Sequence, residues 1–199
     1  MRLLKQQGTA STPRECHADV LVMDSIMSES RSALYRDLYC AIGQATTFWA
    51  GVELNLDEIV YTIYLHYGGQ SLDREIPRPI SKKTRFVKNA LKKCPSLARY
   101  ASEIREPIIR IGKMADDRDW LVHGTLGRPD IFEMTGTIVI LRTVHAGNSL
   151  KFVERRIRIA DIDNHAAKLR PMMNELRRIA DMLAAPFEKK VEQASSSLD

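Results

Sequence analysis

The sequence predicts a mainly α-helical bundle with one β-hairpin inserted before its last helix. Two patterns carry this. Apolar residues recur at steps of three and four through most of the chain, the period of a helix that buries one face. That period gives way to β-branched stretches only in TGTIVILRTVH and SLKFVERRIRI, which flank AGN and read as a hairpin over about residues 135–159.

The elements follow in order. Residues 1–30 mix apolar, charged and small polar side chains around Gly8 and Pro13. They read as a loosely ordered arm, with a short helix near Ala18–Met27. From about Ser32 to His66, Trp49, Val52, Leu56, Ile59, Val60 and Ile63 keep helical spacing, with Gly43 and Gly51 as weak points and HYGGQ as the stop. The two prolines of SLDREIPRPI mark a connection. Ser81 is expected to cap a helix of roughly Lys82–Lys93 that turns Phe86, Val87, Ala90 and Leu91 to one side and ends at Pro95.

A further helical stretch runs from Ser96 to His123, bent or restarted at Pro107 and capped by Gly124. After the hairpin, Asp161 or Asp163 is expected to cap the last helix, whose Ile162, Ala166, Leu169, Met173, Leu176, Ala180 and Leu183 keep the same spacing. Pro171 should kink or split it, and residues 188–199 read as a frayed tail. Residues 31–187 thus form one domain.

Length and composition agree with that. A chain of 199 residues supports one sizeable core, and 44% hydrophobic with 28% charged residues is ordinary for a globular protein. The formal charge of +5 permits a polyanionic partner without requiring one. Cys16, Cys40 and Cys94 are odd in number and widely spaced, so neither a disulfide framework nor a cysteine metal site is expected, and a reducing cytoplasm is the simpler home. No apolar run approaches the ~20 residues of a membrane span, so no membrane partner is expected.

One stretch departs from simple helix patterning: ADDRDWLVHGTLG, residues 115–127. At ~100° per residue, Arg118 falls within ~60° of Ile104, Ile111, Met114, Leu121 and Val122, near the centre of the apolar stripe. Asp116 and Asp117 point away, as surface residues would. An unpaired buried guanidinium costs several kcal/mol, so Arg118 calls for an acid, a phosphate or an open cleft. Glu53, on the apolar side of the first long helix, is a candidate acid. His123 follows in the last turn of the helix, where it could simply complement the dipole. An imidazole also exchanges protons near neutral pH. An arginine to hold a phosphate and a histidine to move a proton suffice for cleaving RNA through its own 2′-OH without a metal.

RDWLVH, residues 118–123, resembles the Arg-x4-His motif of the HEPN superfamily, and the Gly after the histidine is similar to many prokaryotic members. The resemblance covers about residues 40–185 and implies a helical bundle that pairs with a second copy. It further implies metal-independent endoribonuclease activity of the toxin–antitoxin or phage-defence kind, with Arg118 and His123 catalytic and Asp119 supporting them. Asp119 stands where asparagine is frequent in the family, and the hairpin lies outside the minimal bundle. Glu53 and Trp120 would orient the catalytic pair. RNA would be the substrate, an antitoxin or other protein a further partner, and no cofactor is needed.

Other signals are weighed against plainer ones. Lys82, Arg85, Lys88 and Lys92 could track an RNA backbone, or form the solvated face of an amphipathic helix. ERRIRI could extend a basic surface or blunt an edge strand. Trp49 and Trp120 could stack on bases or fill the core. His66, His145 and His165 show no ligand spacing, and no Gly-rich phosphate loop or Gly-x-Ser-x-Gly elbow occurs. The alternative to a nuclease is a non-catalytic module of the same fold binding nucleotide, RNA or protein, in which an Arg118–Glu53 pair is structural.

Overall fold

The computed structural model describes the backbone of residues 13–146 and 149–195, with side chains over 29–144 and 149–188. In chain order it contains α1 (Pro13–His66), a 3-10 turn (Gly69–Ser71), α2 (Ile80–Lys93), a second 3-10 turn (Pro95–Tyr100) and α3 (Ala101–His123). Then follow β1 (Thr125–Gly127), α4 (Pro129–Thr135), β2 (Thr137–Ala146), β3 (Ser149–Arg158) and α5 (Ile159–Ser195). The fold is mainly helical, with a small antiparallel sheet of order β1-β2-β3 before the last helix.

The backbone contacts divide the chain into two units, Met1–Tyr39 and Cys40–Asp199, a later boundary than the residue 30 expected from composition. In the first unit α1 begins at Pro13, so helix extends well before Ser32 and includes the stretch near Ala18–Met27. Residues 1–12, part of the expected arm, lie outside the described residues. Tyr35 and Tyr39 stack one turn apart, with ring centroids 6.4 Å from each other.

The second unit holds the core. Val52, Leu56, Ile59 and Ile63 of α1 meet Val87 of α2, Ile104, Ile108 and Ile111 of α3, and Leu169, Leu176 and Leu183 of α5, all essentially inaccessible. Two cross-helix hydrogen bonds join α1's side of the core to α5: the Asn55 amide donates to the Met173 carbonyl (2.8 Å) and the Tyr67 hydroxyl to the Leu183 carbonyl (3.0 Å). Gly51 does not interrupt α1. Its missing side chain makes room for Met173 of α5, which occupies the place a Cβ would take.

The interior prolines Pro107, Pro171 and Pro186 all lie within unbroken helices. The 3-10 turn Pro95–Tyr100 absorbs the change of direction, so α3 starts at Ala101 and continues through the buried Pro107. Pro171 does not split α5. A lost helical bond costs roughly 3 kcal/mol, but Leu169 and Met172 on either side are buried, at about 1.5–3 kcal/mol each. The carbonyl that Pro171 leaves free, on Ala167, lies on the solvated side. The helix ends also differ in detail. α2 starts at Ile80, with Pro79 as its cap, so Ser81 lies inside it. Asp161 sits in the first turn of α5 and reaches back to accept the Arg158 backbone N–H (3.2 Å), half of a capping box. The expected frayed tail is helical to Ser195, and residues 196–199 lie outside the described residues.

The hairpin occupies its expected place, and its turn residues 147–148 lie outside the described residues. β2 and β3 pair from Thr137↔Arg158 to Ala146↔Ser149, so Ile138, Ile140 and Arg142 share a face with Ile157, Arg155 and Val153. β1 and α4 were not expected. β1 pairs Thr125–Gly127 with Leu141–Val139, and α4 buries Phe132. Arg128, between them, adopts a left-handed conformation (φ 52°) that a side-chain-bearing residue rarely takes.

Candidate functional site

The C-terminal half of α3 leaves the apolar core, and none of its residues beyond Ile111 is fully buried. Arg118 is the hub of this half, its side chain 23% exposed. Its Nη1 donates to Asp119 Oδ1 at 2.9 Å and lies 3.0 Å from His123 Nε2. Its Nη2 stands 3.5 Å from Glu53 Oε1 on α1. Asp119, His123 and Glu53 therefore meet at the Arg118 guanidinium. Arg118, Thr46, Leu121, Val122 and His165 line a narrow crevice, while His123 is exposed.

A guanidinium has donors only, so in a hydrogen bond across this 3.0 Å gap Arg118 Nη1 donates and His123 Nε2 accepts. The carboxylates of Asp119 and Glu53 both face this guanidinium, so an incoming phosphate would share Arg118 with them and take the place of His123. Arg118 Nε is buried without a hydrogen-bond partner.

Trp120 is not laid open for base stacking. The Arg142 and Arg155 guanidinium carbons lie 5.3 and 5.9 Å from its ring centroid, so the hairpin is fastened to α3 through cation–π contacts. Gly124 ends α3 with φ −82° and ψ 149°, an extended rather than left-handed cap. A glycine is needed there because a Cβ would run into Ile140 of β2 and the Trp120 carbonyl.

A second polar cluster lies beside the first. Arg155 Nη2 donates to Asp117 Oδ1 at 2.6 Å and Nη1 stands 3.6 Å from Asp116 Oδ2. Asp117 is thus no idle surface residue. Its Oδ2 lies 3.7 Å from Nδ1 of His165, a buried residue of α5. Burial, with Lys168 and Arg155 nearby, holds the His165 imidazole below its ordinary pKa against the opposing pull of Asp117. His165 Nε2 has no hydrogen-bond partner. Asp117, Arg155, Asp161 and His165 border a cavity of about 110 Å³ under the hairpin. His165 follows Ile162 by three residues on the apolar face of α5, a signal that spacing between histidines alone does not register. The remaining ERRIRI arginines are also paired, Arg156 with Glu154 and Arg158 with Asp161.

The cations of α2 lie apart from the motif. Lys82, Arg85, Lys88 and Lys92 are exposed. Lys88 and Lys92 border a groove shared with α3, and none of the four makes an ion pair among the described residues. Lys83, between them in sequence, is buried and paired with Asp57. Trp49 is core. Cys40 and Cys94 are free thiols, Cys94 buried and its pKa raised by that burial. Among the described residues no three His, Cys, Asp or Glu side chains form a metal-ligand group, and no helix is long and apolar enough to cross a membrane.

No family model, curated protein or solved structure matches this chain.

Proposed function

We propose that Arg118 and His123 form the cleavage centre of a metal-independent endoribonuclease of the HEPN kind, acting on single-stranded or looped RNA in the cytoplasm. The observation that carries this is the direct approach of Arg118 Nη1 to His123 Nε2, with the imidazole exposed at the helix end. A phosphate that binds Arg118 displaces that contact and frees Nε2 as a proton acceptor. Nε2 then takes the proton of the ribose 2′-OH as its oxygen attacks phosphorus, and Arg118 stabilises the charge growing on the phosphoryl oxygens. The imidazolium so formed returns that proton to the 5′-oxygen of the next nucleotide as the P–O5′ bond breaks, giving a 2′,3′-cyclic phosphate and a 5′-hydroxyl. Asp119 and Glu53 hold the guanidinium in place, and Trp120 anchors the hairpin beside it. Pairing of two copies would bring two such motifs together, and a toxin or phage-defence role belongs to the same proposal.

One observation favours a second reading. Glu53 and Asp119 already satisfy much of Arg118's charge, as in a structural ion pair between helices. Cleavage of labelled mixed-sequence RNA in excess EDTA separates the two. The nuclease predicts cyclic-phosphate ends, lost in both Arg118→Ala and His123→Ala when these remain folded. A folded wild type that leaves RNA intact is the binding module. Cleavage that persists in both variants removes the motif from the chemistry.

A further inference from the structure

Away from the Arg118 site, α2 and α3 lie side by side and leave a groove of about 230 Å³ lined by Lys88, Leu91, Lys92, Arg105 and Ile109. Its chemistry is segregated. Leu91 and Ile109 give it an aliphatic floor and are only partly covered, while Lys88, Lys92 and Arg105 are exposed cations around it. No acid lines it, and none of the three cations makes an ion pair among the described residues. This differs from the rest of the surface between helices, where Arg110 pairs with Glu175, Arg177 with Glu58 and Arg178 with Glu103. The lining residues stand one helical turn apart on each helix, Lys88 with Lys92 and Arg105 with Ile109, so the groove presents a repeat that matches another helix.

We infer that this groove docks an acidic amphipathic helix of a partner protein, with its aliphatic side chains on Leu91 and Ile109 and its carboxylates on Lys88, Lys92 and Arg105. Charge complementarity selects an anion, and the floor selects which anion. A phosphate backbone gains nothing from aliphatic carbon, and the lining offers no aromatic ring on which a base could stack. A helix with Leu and Glu at steps of three and four uses both the floor and the rim. The space accommodates one or two aliphatic side chains. The inference is independent of the nuclease proposal and assigns Lys88 and Lys92 to a protein rather than to RNA.

The test is fluorescence anisotropy of a labelled helical peptide of repeating Leu and Glu, titrated with the full chain. Saturable binding is expected. It should weaken at least about tenfold, some 1.4 kcal/mol, in the exposed double variant Lys88→Glu/Lys92→Glu and similarly in Ile109→Ser. A peptide with Ser in place of Leu should not bind. Melting curves establish that each variant is folded, and the double variant, which changes only exposed side chains, serves if Ile109→Ser is not. Absence of saturable binding by wild type overturns the inference. So does binding that ignores the groove variants, or binding that responds to the charges but neither to Ile109 nor to the peptide's leucines. A labelled single-stranded RNA, tested in parallel, that alone binds and is lost on charge reversal makes the groove an RNA track and also overturns it.

Discussion

The two halves of α3 make opposite uses of one helix. From Ile104 to Ile111 it offers Ile104, Ile108 and Ile111 to the core, each inaccessible to solvent. From Asp116 to His123 it offers charge, and Glu53, Arg155, Arg142 and His165 stand among its neighbours beside the aliphatic Ile157 and Ile162. Apolar burial at about 25 cal/mol per Å² holds the first half firmly. Partly exposed ion pairs, worth about 0–1 kcal/mol each, hold the second half in position without contributing much stability. A reactive group can be tolerated where little stability depends on it.

Four substitutions sharpen or break that contrast. Ile108→Ala in the first half should cost about 2–5 kcal/mol in urea unfolding, because it empties a sealed position. Under the proposed function, Arg118→Ala in the second half should lower RNA cleavage by about 10²–10³-fold. Its unfolding free energy should shift far less than that of Ile108→Ala; an equal shift would make Arg118 a core residue in effect. Trp120→Leu removes the ring that Arg142 and Arg155 cover, and should cost about 0.5–2 kcal/mol and raise amide exchange in β2 and β3 before that of α1.

The smallest effect concerns pH. The pKa of His165 is depressed in the fold below its ordinary 6.5, so just below that pH the unfolded chain takes up a proton that the folded chain refuses. Stability should therefore be complete above 6.5 and decline as the pH falls through it toward the folded value. His165→Leu should remove this part of the slope. A variant with an unchanged pH profile would show that His165 titrates freely in the fold.

Legibility followed the distance between cause and effect along the chain. The three-four spacing of Val52, Leu56, Ile59 and Ile63 and the β-branched runs of the hairpin are local patterns, and the helices and strands they imply are present. Arg118, Asp119 and His123 lie within one short stretch, and Glu53 stood out as an acid beside an apolar stripe. Their meeting was thus readable, although chemistry at that meeting is a proposal. What escaped was decided elsewhere. The Arg155–Asp117 contact spans 38 positions and ties a surface acid to the hairpin. α4 carries local signs of its own: Pro129 at its first turn, Asp130 after it, and Gly136 in the left-handed region at its end (φ 64°). β1 is three residues long and exists through its pairing with β2. Pro107 and Pro171 do not break their helices: a missing hydrogen bond is visible in sequence, whereas the burial around it is not.

Gly124 couples these parts mechanically. It is the residue after His123, and Ile140 of the middle strand fills the space above its Cα. The imidazole is therefore attached to a backbone whose next residue is clamped by the sheet, and its reach is set by β2 as much as by α3. The hairpin is in this sense a handle: a force or a binding partner that lifts it pulls on the last turn of α3, which carries His123, while Arg118, earlier in the same helix, stays tied to Glu53.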